Sequence, residues 1–388
     1  MKQIYFKSIH IRLASLFMVP LLITACQKKL DQKPVQQQEE ISASAKHQKE
    51  QKDFEQVNLA GNNNEYHPAH IDPNLVNAWG LTFTPTGIAW LSAEGTGVST
   101  IYDKEGAQLR PPVAIPSPTT PTGGAPTGIV FNPTADFKIS NGQPARFIFV
   151  GTDGVVSGWN PASGNFALRV LNNSATSGYT GLTMANDGSN TFLYAANFKA
   201  HRIDVFDKNF AMVPMAFMDP ALPSSYSPFN IQVVDGKLYV MYAKVGPTGD
   251  EVKHPGFGFV DIYNTNGSLY RRFVSRGQLN APWGVAHSPA NFFADTEQDK
   301  SGMKEKDAED TGDAILIGNF GDGHINAYSK SGRFLGQIRE DGKPIAIEGL
   351  WAIMFPPATA TAIDPNRLYF TAGPDAEMSG LFGYIKKE

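Results

Sequence analysis

The chain of 388 residues has a single cysteine, Cys26. No internal disulfide can form, and a metal site built from several cysteines is excluded. Helical patterning is equally scarce. Past residue 25 no long stretch places apolar residues three and four apart. The apolar run from Leu13 to Ala25 is too short and wrongly flanked for a transmembrane helix. Basic charge is thin as well. The formal net charge is −4, and no segment interleaves lysine or arginine with aromatics, so a nucleic-acid partner is not expected. There is no Gly-x-Ser-x-Gly elbow and no Gly-rich phosphate loop, and no cofactor or metal is expected from any motif.

What the chain has in quantity is turn chemistry, with 37 Gly and 27 Pro. A short x-Gly-aliphatic segment opens an apolar run six times: Trp79-Gly80-Leu81, Thr127-Gly128-Ile129, Thr180-Gly181-Leu182, Phe229-Asn230-Ile231, Trp283-Gly284-Val285 and Trp351-Ala352-Ile353. The middle residues are 48, 53, 49, 54 and 68 residues apart. Six copies near one period signal stacked units, and a period of about 40–50 residues with several short strands fits propeller blades. Apolar runs follow each opening, for example Arg146–Val150 and Lys237–Tyr242. Alternating runs come next, as in His201–Asp207 and His324–Tyr328, with the period of a strand.

The expected fold is therefore all-β: a six-bladed β-propeller of four-stranded antiparallel blades over residues 54–386. The last unit offers only three strands, Trp351–Phe355, Arg367–Thr371 and Leu381–Ile385. Phe54–Leu59 supplies the fourth, so an N-terminal strand closes the last blade and removes both open edges.

Ahead of the ring, Lys2, Lys7 and Arg12 precede the apolar run, which reads as an export signal over 1–25. Leu22-Ile23-Thr24-Ala25-Cys26 resembles a bacterial lipobox. The resemblance implies cleavage before Cys26 and a lipid on its sulfur, with the membrane as partner. An ordinary signal with an incidental cysteine is the alternative. Gln27 in place of Asp resembles the outer-membrane sorting pattern, if the organism is Gram-negative. Residues 26–53 are polar and read as a flexible tether. Loss of residues 1–25 takes the formal charge from −4 to −7.

Pro282-Trp283-Gly284-Val285 and Gly318–Tyr328 resemble the opening strand and hairpin of an NHL-type six-bladed propeller. More closely, Asp72–Leu81, Pro144–Phe149, Tyr194–Phe198, Leu350–Ala352 and Phe370–Pro374 resemble a family of uncharacterised secreted bacterial propellers. That resemblance covers about 54–386 and implies the fold without naming an activity. The lipobox and a charged insertion at 295–313 depart from it. The insertion falls between a first and a second strand, and reads as a solvated loop on the far face.

In a propeller the residues before each opening and the turns after each second strand share one face around the channel. Trp79, Phe229, Trp283 and Trp351 stand before the Gly position there, and Asn197, Asn319, Asp322 and Asp375 stand in the turns. An aromatic collar at a channel mouth stacks on sugars or aromatic ligands; packing between blades is the alternative. Val245–Gly256 is the longest turn and is placed to fold over the mouth. The expectation is a monomeric, lipid-anchored cell-envelope protein that binds a carbohydrate or envelope protein at this face. The alternative is a calcium-dependent lactonase or phosphotriesterase-like hydrolase, whose six-bladed architecture the chain resembles. In that family Asn and Asp ligands come from the position before the Gly, where this chain has aromatics and Thr. His67-x-x-His70 with Asp72 is a further candidate metal set, weakened by Pro68, which breaks any helix aligning the two rings.

Substituting Cys26→Ser is expected to abolish incorporation of a labelled fatty acid and leave precursor or unanchored protein. Undiminished labelling of the variant would contradict the lipid assignment.

Overall fold

In the computed structural model the described residues are 54–293 and 313–388. The signal segment 1–25, Cys26, the tether to residue 53 and nearly all of the insertion 295–313 lie outside them. Six antiparallel sheets form the blades of a propeller. Their innermost strands are Ala78–Phe83, Pro126–Phe131, Tyr179–Asn186, Tyr226–Val234, Pro282–His287 and Leu350–Met354. Each packs on the next, and the sixth packs on the first.

The ring closes as the sequence suggests. Phe54–Gly61 pairs antiparallel with Leu381–Lys387, from Phe54 opposite Lys387 to Gly61 opposite Leu381. Its outer edge pairs in parallel with the two-residue strand His70–Ile71 at Ala60 and Gly61, and the Gln56 amide donates to the Glu340 carboxylate at 3.2 Å.

Four strands per blade is not universal. The third blade has three, Tyr179–Asn186, Thr191–Asn197 and Arg202–Phe206. The next segment makes one bridge, between Phe206 and Met212, and then leaves the ladder. Pro214, Pro220 and Pro223 explain this, since each lacks the N–H that a fourth strand would donate. The segment is pinned differently. Val213, Met215 and Phe217 pack into the core between the third and fourth blades. Arg272 of the fourth blade pairs with both Asp219 of the segment and the buried Asp261.

The repeated x-Gly-aliphatic unit is a β-bulge. In all six blades the pairing of the first two strands slips at this point, as between Ala78 and Leu81 or Pro282 and Gly284. Glycine is required there by the neighbouring blade. A Cβ on Gly80 would lie 2.3 Å from the Thr127 carbonyl oxygen, and one on Gly128 would lie 2.4 Å from the Leu182 nitrogen. The fourth blade has Asn230 instead, whose amide donates to the Trp283 carbonyl at 2.8 Å.

Deleting residues 27–50 is expected to leave thermal unfolding nearly unchanged. Deleting on through Leu59 removes most of the closing strand and exposes the edge of Leu381–Lys387, so a large drop in midpoint is expected. Equal midpoints for the two truncations would contradict closure by this strand.

Candidate functional site at the sealed channel

The bulges bring the inner strands close, and the channel between them is narrow. The residues before the glycine position fill its upper half. Trp79 stacks on Trp351 with ring centroids 3.5 Å apart, and meets Trp283 at 6.3 Å and Phe229 at 6.4 Å edge-on. Phe320 stacks on the other side of Trp351 at 3.8 Å. These rings come from the first, fourth, fifth and sixth blades, so they touch across the axis. All are buried, with Trp351 at 0% exposure and Trp79 at 5%. The sequence left these aromatics as either a collar with partly exposed faces or packing side chains. Their burial and mutual contact make them a plug, because rings from four blades meet one another across the axis.

The remaining inner-strand openings are Thr127 and Thr180. Both are buried, and their hydroxyls donate to main-chain carbonyls of Tyr179 and Ala196. No free oxygen ligand comes from this position. Among the described residues no group of three or more His, Cys, Asp or Glu is arranged to hold a metal ion. Asp72 accepts from the Tyr102 hydroxyl at 2.7 Å and from Asn74, while His67 and His70 are exposed. The buried Asp72 is thus a hydrogen-bond anchor in a loop rather than one of three metal ligands.

Two of the candidate turn residues are consumed in architecture. Asn197 accepts from the Gly178 and Ala200 amides and donates to Asp204 at 2.7 Å. Asn319 accepts from the Asn280 amide and donates to the Gln278 carbonyl at 2.8 Å and Asp322 at 3.1 Å. Both are fully buried and lock the loop that enters the inner strand of their blade. Asp322 also accepts from the His324 amide. Burial pushes its carboxyl up, but hydrogen bonds from His324, Asn319 and Asn280 outweigh that and hold it below its ordinary value.

Above the plug a polar cover converges on Asn77. Its Oδ1 accepts from the Trp351 indole at 3.0 Å, and its Nδ2 donates to Glu94 at 3.1 Å and Glu377 at 3.0 Å. Glu377 arrives on an unusual turn. Asp375, Ala376 and Glu377 have φ of 57°, 50° and 71°, three left-handed residues in succession. Such a conformation costs roughly 1–2 kcal/mol per L-residue, and retained strain of this kind clusters at functional sites. Asp375 itself is exposed, and its amide donates to Glu348 at 3.1 Å.

The Val245–Gly256 loop does fold over this end. Val245 packs against the plug, and Lys253 Nζ sits 3.8 Å from the Phe320 ring centroid. Glu251 of the same loop is pushed up to about 7, by burial first, with the Glu377 charge adding to the shift and Lys253 opposing it. Burial also raises Glu94, with Glu377 and Asp153 adding repulsion. Carboxylates of the first, fourth and sixth blades therefore share one electrostatic environment over the axis. Sequence reasoning named the loop holding Glu251. It missed Glu377, because nothing in Asp375-Ala376-Glu377 announces a left-handed turn.

No protein-family model matches the chain. Two uncharacterised proteins of Acanthamoeba polyphaga mimivirus are similar to it along most of its length. One is 33% identical over 347 residues, covering 86% of this chain and 86% of the viral protein. The other is 31% identical over 347 residues, covering 86% and 80%. Among solved structures, an α-L-arabinanase of Penicillium chrysogenum complexed with arabinobiose superposes with a TM-score of 0.52 at 12% identity, covering 86% of this chain and 97% of that one. At that identity the likeness shows the fold alone.

Trp351→Ala is expected to destabilise the ring by about 3–5 kcal/mol, as for other buried tryptophans. Chemical denaturation reads this directly. A loss below about 1 kcal/mol would contradict the plug, on the same scale.

Proposed function

The chain belongs to the family of the two mimivirus proteins, and from that premise we propose a lipid-anchored cell-envelope propeller that binds a partner at the acidic mouth above its plug. The carrying observation is the meeting of Glu94 and Glu377 on Asn77, with Glu251 of the covering loop near enough to feel the Glu377 charge. Burial and the Glu377 charge raise Glu94 and Glu251, so a positively charged partner that relieves this crowding of carboxylates is favoured. The buried tryptophans offer no face for sugar stacking. An envelope protein presenting a lysine- or arginine-bearing segment is therefore the favoured partner over a neutral carbohydrate. The lipobox-like Cys26 supports the anchor, and the polar tether supports reach from the membrane.

The pH dependence follows from Glu251. Its ordinary value is 4.5 and in the fold it lies at about 7. Protonated Glu251 favours the fold below about pH 4.5, and that contribution is lost as pH rises through about 7. A cationic partner has the opposite preference, since it meets the ionised carboxylate. Fluorescence titration with a lysine-rich peptide is expected to show affinity rising by up to about tenfold between roughly pH 6 and 8. Glu377→Gln is expected to move that rise to lower pH by removing repulsion on Glu251. A flat pH profile that Glu377→Gln leaves unaltered would overturn this reading. So would saturable binding of neutral oligosaccharides with none of the peptide.

A further inference from the structure

The axis has a second end. Below the plug, on the face opposite the carboxylates, the inner strands enclose a cavity of about 210 Å³. Trp283 lines it from the plug side, and the half-buried Phe131 and Met184 stand with the exposed Val233 at its rim. None of its lining residues is ionisable. An ion entering it would lose hydration without a partner charge, which is strongly unfavourable.

Two polar side chains in the wall are unspent. The Thr82 hydroxyl and the Gln232 carboxamide make no hydrogen bond to other described residues, although Thr82 is only 9% exposed. Their neighbours differ. Thr183 Oγ1 accepts from the Val233 amide at 3.1 Å, and both ends of the Asn230 amide are engaged, with Trp283 and Ile231. Neither polar group is sealed from solvent, so water meets each in the free protein and a ligand's polar group takes that water's place.

We propose that this end of the channel is a binding site for a small neutral ligand: one ring bearing a hydroxyl or amide group. An engineered apolar cavity of about 150 Å³ holds benzene. The larger volume here fits a ring plus one polar substituent. Met184 and Met354 supply adaptable apolar contact from opposite sides of the ring of blades, and Phe131 adds an aromatic face to the lining. Thr82 and Gln232 meet the polar substituent. The aromatic plug separates this site from the acidic mouth, so the two bind chemically different partners.

Phenol is the probe, with benzoate as its charged counterpart, titrated calorimetrically and by saturation-transfer NMR into the full chain. Phenol is expected to bind saturably at one site, and benzoate at least about tenfold more weakly, as desolvation of its charge requires. Thr82→Val and Gln232→Leu are each expected to weaken phenol by about fivefold or more, on the scale of one lost hydrogen bond. Val130→Phe fills the wall and is expected to abolish binding. Near-ultraviolet circular dichroism checks that each variant keeps its packing, and the two milder variants decide the matter should Val130→Phe fail to fold. Absence of saturable phenol binding, equal affinity for benzoate, or full affinity in both polar variants would overturn the proposal.

Discussion

Close approach of neighbouring inner strands governs this molecule. At each blade a bulge turns the backbone of the first strand toward the next blade, and at most of them a glycine leaves room for contact. The bulge also frees main-chain carbonyls from the ladder. Side chains of other blades satisfy several of them. Thr371 donates to the Trp79 carbonyl, Asn230 to the Trp283 carbonyl and the Trp283 indole to the Thr180 carbonyl. Contacts between blades thus replace hydrogen bonds lost within them, as buried carbonyls require.

Everything along the axis follows from the resulting width. Rings from four blades meet and fill the upper half of the axis. Asn77 couples this apolar plug to the polar cover, since one amide serves the Trp351 indole and two carboxylates. A charge change at Glu94 or Glu377 therefore reaches a core tryptophan through a single side chain. Below the plug the smaller groups after each bulge leave the neutral cavity. One structural device yields two ends of opposite chemistry.

The fold was legible because the bulge repeats in sequence. A glycine required at one backbone position in most blades leaves a periodic mark, and the unit count and closing strand followed from it. The third blade's missing strand was legible in principle from Pro214, Pro220 and Pro223, which deny the ladder its donors. The site was less legible. Position in the repeat gives the face on which Trp79 or Trp351 lies, but not the channel width that decides between collar and plug. Asn197 and Asn319 sit where ligand-binding residues would, and only coordinates reveal that backbone amides occupy them. Glu377 left no signal, because Asp, Ala and Glu do not specify a left-handed turn.

The sealed channel is the claim on which the rest depends, and tryptophan accessibility tests it most directly. All five tryptophans are buried, at 5% exposure or less: Trp79, Trp90, Trp159, Trp283 and Trp351. Acrylamide quenching of the native chain is expected to give a nearly flat Stern–Volmer plot with blue-shifted emission, and a steep plot once denatured. Strong quenching of the native protein, lost when Trp79, Trp283 and Trp351 are replaced by phenylalanine, would show an open collar and contradict the account.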